Sequence, residues 1–489
     1  MKDWTLANWK WDYLILVPIL ALAFYIAFIP HMDYPYPVHI DEWNNFSFIK
    51  AILHAQSTTY THPYLERMMN TSSNIDLETS FRVFWVVFYD ISGISWLTIF
   101  RYFPGVIFMI TVLSVYTFAR REGFGWEAAL FTCLIPTSVG ILGPAFLVAV
   151  AMGLLFIPLS LFIAFNFRTW WSYLALFIFT SFLLAIHATT AVGLVIILIP
   201  YILLNLKGNF KHGLWLALAL AVPFLAPFPW IFSMLLPTAQ RLLVPQYYPE
   251  YQDLPRMLKA YGYLPSALCL LGTFLLAIKG GKKEYGLILG LLAILVMLVT
   301  YFTLHYGLLT LYERGLMYMM LMIGIVAGAG LMGVRKLRLP ERINRLVIPP
   351  LFTQNVGRVL CLALIGVTLA IAIPNRLDTP YYHMINDREY EDFSWIRDNV
   401  SQDYSKAILD PWKATPFYAI TEKRIFSRIH AYPKPSDEEA RKFLSDNCTD
   451  TTFLRENGIS IVYTPLNCDN PDLVEVKPRI YLLKKSISP

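Results

Sequence analysis

The chain has 489 residues, of which 56% are hydrophobic and only 15% charged, whereas a soluble domain carries about a quarter charged residues. The apolar residues fall in long runs separated by short charged knots, which excludes a soluble globular protein and points to a polytopic α-helical membrane protein. The net charge of +6 sits mostly in short loops between the runs, where membrane orientation accounts for it, so nucleic acid is not an expected partner.

Lys2 and Lys10 precede the first apolar run, Tyr13–Ile29, and Pro30-His31-Met32-Asp33 follows it in place of a small-x-small cleavage site. The run is therefore expected to be an uncleaved first span. At roughly 18–20 apolar residues per crossing, the chain counts about eleven spans. They are Tyr13–Ile29, Ile99–Ala119, Glu127–Gly143, Ala145–Phe165, Ser172–Ile186 and Thr189–Asn205, then Gly213–Leu236, Tyr261–Ile278, Tyr285–Thr303, Gly315–Gly333 and Arg358–Ile373. Phe81–Leu97 is also apolar, but Arg82, Asp90, Ser92 and Gly93 interrupt it, so it reads as either an interfacial helix or a short extra span. Arg120-Arg121, Arg168, Lys207 with Lys211, Lys279 with Lys282-Lys283, and Arg335 through Arg345 all fall in alternate loops. The positive-inside rule then puts the N-terminus in the cytoplasm and residues 31–98, 237–260, 304–314 and 374–489 outside. The expected division is a membrane domain over 1–374, with 31–98 as a long first outer loop, and a soluble outer domain over 375–489.

The stretch Tyr36-Pro37-Val38-His39-Ile40-Asp41-Glu42-Trp43-Asn44-Asn45-Phe46 opens that outer loop. Asp41–Ala55 reads as a helix lying in the membrane surface, with Trp43, Phe46, Ile49, Ala51 and Leu53 partly on one face. Asp41 and Glu42 are adjacent carboxylates at a membrane edge. Such a pair suits a general base, because each raises the other's pKa. The plainer alternative is a solvated loop carboxylate that caps the helix beginning at Trp43. Later outer loops add Tyr312-Glu313-Arg314, where arginine can grip a phosphate with a bidentate fork, with His305 and Tyr306 beside them. His187 lies at the outer turn between the fifth and sixth spans. A charged interface anchor is the alternative for Glu313 and Arg314, and a packing role for His187. The loop around Gln240-Arg241, Gln246-Tyr247-Tyr248, Glu250 and Asp253 is also polar, while the one near Ile141-Leu142-Gly143-Pro144 carries no acid.

Beyond Ile373 the composition turns polar. Arg388–Asn399 reads as a helix, Ser436-Asp437-Glu438-Glu439 as the capping box of a second, and Lys406–Leu409, Ile459–Tyr463 and Ile480–Leu483 as strands. These elements predict a small extracytoplasmic α/β domain. Of the five cysteines, Cys133, Cys269 and Cys361 lie in spans as small packing residues. Cys448 and Cys468 are the pair in the outer domain, where a disulfide is expected. Asn70-Thr71-Ser72, Asn399-Val400-Ser401 and Asn447-Cys448-Thr449 have the glycosylation acceptor pattern. No Cys/His spacing resembles a zinc site, and no glycine-rich phosphate loop follows a strand, so no nucleotide-sugar site is visible.

A first span followed at once by Asp41-Glu42-Trp43-Asn44-Asn45-Phe46 resembles the GT-C glycosyltransferases. The nearest pattern is the Asp-x-Trp-x-Asn-aromatic loop of the oligosaccharyltransferase catalytic subunit, which Asp41, Trp43, Asn45 and Phe46 match one for one. Pro136-Thr137-Ser138-Val139-Gly140 through Leu161 and Asp392-Phe393-Ser394-Trp395-Ile396-Arg397-Asp398-Asn399 are similar to further parts of those enzymes. The resemblance implies a GT-C-like bundle of about eleven helices with an outer C-terminal domain. It implies a hexosyl or pentosyl transferase that takes its sugar from a polyprenyl (dolichyl) phosphate, with inversion, on the outer face. Asp41 would be the base, with Glu42 beside it as a second catalytic carboxylate. Arg314 and Tyr312 would hold the donor phosphate, and His187, His305 and Glu313 would position donor or acceptor.

The partners would be the lipid-linked sugar, a glycan, lipid or protein acceptor, and membrane lipid. The site would be in the plasma membrane, or in the endoplasmic reticulum of a eukaryote. Two features depart from the oligosaccharyltransferase pattern. Its Trp-Trp-Asp motif is absent, since Trp170-Trp171 is followed by Ser172, which argues against transfer to protein sequons. The acids of its second outer loop are also absent. No cofactor is expected on that ground, with a divalent metal (Mg or Mn) left open. The rival readings are a transporter or flippase of lipid-linked sugars and a non-catalytic scaffold. The first would carry ionisable residues at mid-depth of its spans.

Overall fold

In lipid, every backbone N–H and C=O must find its partner inside its own segment, so the long apolar runs fold as helices. The structure, a computed structural model, describes residues 6–64, 68–69, 78–138, 140–225, 244–245, 253–338, 350–381, 383–429 and 433–484. It divides into two units. One holds Met1–Pro35, Ile75–Phe81 and Trp96–Tyr381; the other holds Tyr36–Asn74, Arg82–Ser95 and Tyr382–Pro489.

The first unit is helical. Its helices are α1 (Leu6–Phe28), α4 (Trp96–Glu122), α5 (Gly125–Cys133), α6 (Ala149–Leu154), α7 (Phe156–Asn166), α8 (Trp170–Ile186), α9 (Ala188–Gly208) and α10 (Phe210–Leu225). There follow α11 (Leu254–Tyr261), α12 (Tyr263–Lys279), α13 (Lys282–Leu304), α14 (Leu309–Arg335) and α15 (Pro350–Leu377). Among the described residues, seven helical stretches are long and apolar enough to cross a membrane, one of them α6 and α7 taken together (Ala149–Asn166), and α11 with α12, bent by 98°, makes an eighth if the pair is one span. α8 and α10 are shorter apolar helices. The chain is thus an integral membrane protein. The expected span Gly213–Leu236 coincides with α10 only as far as Leu225; residues 226–243 lie outside the described residues, as do Gln240-Arg241, Gln246-Tyr247-Tyr248 and Glu250.

The expected span Glu127–Gly143 does not form as one helix. α5 stops at Cys133 because Pro136 and Pro144 lack the amide a continuing helix needs. The chain instead doubles back on itself, Ser138 and Ile141 exchanging backbone hydrogen bonds at 3.1 Å each way. A Cβ on Gly143 would stand 2.3 Å from the Pro136 carbonyl oxygen, so only glycine fits the return. Arg376, buried near the end of α15, closes this region. One Nη donates to the carbonyls of Leu134 and Ala260, 2.9 Å to each. Both carbonyls stand at helix C-terminal ends, which lack intrahelical partners and favour a cation.

α14 is the spine of this unit, with most of its apolar length buried. It packs by backbone approach: a Cβ on Gly272 of α12 would lie 2.0 Å from the Val326 carbonyl oxygen, and one on Gly330 the same distance from that of Leu268. Small residues at such crossings replace the hydrophobic force that lipid cannot supply. At one end of the unit the cations gather. Glu122 at the end of α4 lies 3.3 Å from Lys279 and 3.5 Å from Lys283. Lys283 also donates to Asn166 at the end of α7 at 2.7 Å, and Arg335 pairs with the buried Glu127 at 2.8 Å.

The second unit joins distant parts of the chain. From the first loop come α2 (Ile40–Ala55), the two-residue strands β1 (Tyr60–Thr61) and β2 (Met68–Met69), paired antiparallel, and most of α3 (Thr79–Ser92). Phe81–Leu97 thus contributes a helix that ends at Ser92, followed at Gly93 by a positive φ of 64°. The C-terminal part supplies α16 (Asp387–Asn399), β3 (Lys406–Ile408), α17 (Ala414–Thr421), β4 (Arg424–Ile425), α18 (Pro435–Ser445), α19 (Thr451–Glu456), β5 (Ile461–Tyr463), β6 (Leu473–Lys477) and β7 (Ile480–Leu483).

The sheet runs β4-β3-β5-β7-β6. β3 is parallel to both its neighbours, and β7 is antiparallel to β5 and β6. Ile408, Phe443, Leu444, Leu454, Ile459 and Val462 form its core together with Cys448. Cys448 is bonded to Cys468, with Cα atoms 5.1 Å apart. α18 begins one residue before the expected cap. Lys434 is the cap residue, and its N–H donates to the Asp437 carboxylate at 2.7 Å, while Ser436 Oγ pairs with Ser427 Oγ at 2.7 Å. Asn399 and Asn447 are exposed, whereas Asn70 lies outside the described residues.

Candidate active site

The loop before α2 is built to aim its first turn. His39 is the N-cap, in extended conformation, and its ring Nδ1 accepts the Asp41 N–H at 3.1 Å. Glu42 reaches back: its Oε2 accepts the N–H groups of Val38 at 2.8 Å and His39 at 3.0 Å. This is a capping box with histidine in the place usually taken by serine or threonine. Both acids lie in the first turn, where the positive end of the helix dipole favours them. They part company in exposure. Glu42 is fully buried, while the Asp41 side chain keeps 26% of its surface and has His39 Nδ1 at 3.8 Å. The carboxylate expected to share the chemistry is thus the one that holds the turn, and the one left facing outward is Asp41.

The rest of the motif anchors α2 inside its unit. Trp43 is fully buried and tilts against Phe46, ring centres 6.3 Å apart. Asn45 and Asn44 each take an arginine from elsewhere. Arg82 of α3, buried over the face of Phe48, donates its Nε–H to Asn45 Oδ1 at 2.9 Å. Arg428, from the segment after β4, donates to Asn44 Oδ1 at 3.1 Å and lies over the Tyr64 ring at 3.5 Å. Tyr64 in turn donates to Ser47 Oγ at 2.7 Å, and Ser47 to the Trp43 carbonyl at 3.0 Å.

Burial pulls the Arg428 guanidinium below its ordinary pKa, and Tyr64 and the nearby Asp41 carboxylate work against that fall. Burial likewise pushes the Tyr64 hydroxyl up, opposed by Arg428. Asp41 therefore has a cation from the C-terminal part of the chain within electrostatic reach. The sequence carried no signal for Arg428, which is remote in the chain and flanked by unremarkable residues. His39 did carry a faint one, an imidazole just before two acids.

The remaining candidates lie in the helical unit. His187 joins α8 to α9, serving as C-cap of the first and N-cap of the second. Its Nδ1 meets Thr190 Oγ1 at 2.7 Å and Thr189 Oγ1 at 2.9 Å, and Thr190 Oγ1 meets the Tyr318 hydroxyl at 2.9 Å. Arg314 of α14 acts electrostatically on both His187 and Tyr318, so His187 and Arg314 belong to one cluster. Arg314 is 4.0 Å from Glu313. Tyr312 is buried with its ring stacked on Tyr301, centres 4.4 Å apart. His305 ends α13 in the left-handed region at φ 58°. Among the described residues no three His, Cys, Asp or Glu side chains gather in a way that could hold a metal ion.

No protein-family profile matches the chain, and no curated protein matches it. Solved structures do. The archaeal oligosaccharyltransferase AglB from Archaeoglobus fulgidus, in complex with an inhibitory peptide and a dolichol-phosphate, superposes with a TM-score of 0.64 at 12% identity, over 94% of this chain and 70% of that one. ArnT from Cupriavidus metallidurans in the apo state gives 0.57 at 14% identity, over 98% of both chains. Its undecaprenyl phosphate-bound form gives 0.57 at 13%, over 97% of this chain and 98% of that one.

The fold is GT-C. A bundle of membrane helices, with the acidic first-loop helix joined to a C-terminal α/β unit, is this chain's version of it. At such low identity the likeness concerns the backbone path, and the chemistry rests on the residues described above.

Proposed function

We propose that the protein is a membrane glycosyltransferase that moves a sugar from a polyprenyl (dolichyl) phosphate to a glycan, lipid or protein acceptor on the outer face. The observation that carries this reading is the first turn of α2 on a GT-C fold. There the cap consumes Glu42 and leaves Asp41 partly exposed, with Arg428 in reach. In the reaction, Asp41 takes the acceptor hydroxyl's proton. The acceptor oxygen forms its bond to the anomeric carbon as the bond to the lipid phosphate breaks, with inversion. Arg314 holds the phosphate through charge-assisted hydrogen bonds; the phosphate leaves as a stable anion that needs little protonation. His187, fixed by two threonines, and Glu313 line the same part of the helical unit and position donor or acceptor. Tyr312, buried against Tyr301, braces the turn that carries Arg314. His305 ends the preceding helix and sets where that turn begins.

The cations at one end of the helical unit support a cytoplasmic N-terminus and an outer C-terminal domain. No metal or other cofactor enters the proposed steps. The test is transfer from a panel of polyprenyl-phosphate monosaccharides by purified protein in nanodiscs, with and without EDTA, beside Asp41→Asn. Removing a general base costs on the order of 10²–10⁴-fold in rate. Near-normal turnover of Asp41→Asn would remove Asp41 from the site. Loss of transfer in EDTA would add a metal. Lipid flipping in liposomes without transfer would mean a flippase.

A further inference from the structure

A groove of 730 Å³ runs between α8 and α10 at the end of the helical unit where Arg168 and Lys211 stand. Its mouth is polar and basic, and its walls, among them Phe177 and Val222, are apolar. Arg168 and Lys211 are exposed, and among the described residues neither forms an ion pair. No acid is among the residues lining the groove. The base of the mouth is a fixed structure: the Tyr173 hydroxyl and the buried His212 Nδ1 meet at 2.7 Å, and the Tyr173 ring stacks near that of Trp215. The charges of Arg168 and Lys282 both reach His212. Trp170 at the rim stacks on Trp171, and both are well exposed, as aromatic side chains at a headgroup boundary are.

A second groove sets the contrast. It lies along α9 and α10, holds 530 Å³, and is lined only by aliphatic residues and Phe224. Both grooves have apolar walls along which an acyl chain can lie, but only the first carries unneutralised cations. Basic pockets between membrane helices bind anionic lipid headgroups.

We propose that the α8–α10 groove is a binding site for an anionic phospholipid, its phosphate held by Arg168 and Lys211 and one acyl chain lying along Phe177 and Val222. Asp41, His187 and Arg314 are not among the residues lining the groove, and the proposal does not depend on the proposed transfer reaction. The test is native mass spectrometry of the full chain released from mixed micelles containing equal amounts of phosphatidylglycerol and phosphatidylcholine. Two basic contacts near the surface are expected to favour phosphatidylglycerol by about ten- to thirtyfold.

Arg168→Gln with Lys211→Gln should bring that preference down to a few-fold with an unchanged thermal melt, since both side chains are exposed. The charge-preserving pair Arg168→Lys with Lys211→Arg should keep most of it. Equal retention of the two lipids by the wild type, or an undiminished preference in the double glutamine variant, would overturn the proposal. So would displacement of the lipid by millimolar inorganic phosphate, which would make the site one for a free anion.

Discussion

Glu42→Ala and Glu42→Gln separate a structural carboxylate from a catalytic one. Glu42 Oε2 accepts two backbone N–H groups, from Val38 and His39, and Val38 is only 3% exposed. Alanine leaves both donors without their acceptor. Each unsatisfied buried group costs about 1–3 kcal/mol, and loss of a helix cap about 1 kcal/mol. Partial relaxation toward water lowers the sum, so we expect about 2–4 kcal/mol of lost stability in the α2 unit. Glutamine can present its carbonyl oxygen to the same two amides and loses only the charge at the helix N-terminus, about 0.3–1 kcal/mol.

Thermal melts and limited proteolysis measure the stability, and the transfer assay measures the chemistry. Glu42→Gln should keep turnover within about tenfold, short of the roughly 10²–10⁴-fold loss of a general base. Glu42→Ala should lose both stability and turnover, because Asp41 is aimed by the turn that Glu42 holds. A Glu42→Gln protein with a normal melt but turnover as low as Asp41→Asn would refute the reasoning and make Glu42 a partner in proton transfer.

Arg428→Lys should weaken transfer and lower the melting temperature despite conserving charge, because an ammonium cannot both stack over Tyr64 and bond Asn44 as the planar guanidinium does; an unchanged protein would mean the stack is incidental. The Cys448–Cys468 bond closes a loop with a sequence separation of 20, so Cys448→Ser with Cys468→Ser should cost about 3 kcal/mol on the chain-entropy account, read as a lower melting temperature of the C-terminal unit. The Tyr418 hydroxyl is pushed up to about 12, first by burial and then by Tyr64 and Glu422. Its folded pKa lies above the unfolded value, so its contribution is full below pH 10 and falls as pH rises toward 12, by about 2 kcal/mol in all. Tyr418→Phe should flatten that alkaline loss, followed by tyrosinate absorbance and unfolding together, and an unchanged alkaline limb would place the sensitivity elsewhere.

Much of the architecture was legible because its signals are local. The length of an apolar run decides that a segment is a membrane helix; Tyr285–Thr303 and Gly315–Gly333 fall within helices of the structure, and Tyr13–Ile29 overruns α1 by a single residue. The helix from Ile40 to Ala55 and the strands at 406–408, 461–463 and 480–483 likewise follow from caps and alternation within a few residues. The failures were local too, but of another kind. Glu127–Gly143 is apolar enough to span, yet prolines and a backbone return break it, and apolarity does not report chain direction. The two-residue strand at Arg424–Ile425 is too short to show a period.

The sequence by itself determined that this is a membrane protein with a long acidic first loop and a separate polar C-terminal region, because hydropathy and charge are properties of each segment alone. Only the tertiary structure decided that those two polar regions form one unit. Arg428 meets Asn44 across a sequence separation of 384 residues, and Tyr36 donates to Asp387 across 351. It also decided which of two adjacent acids is used up by the backbone. Asp41 and Glu42 are equivalent as letters, and they differ because the helix turn carries Glu42 back toward its own N-cap amides and leaves Asp41 facing out. Partner choice over such distances depends on how helices and strands pack, and no window along the chain contains both partners.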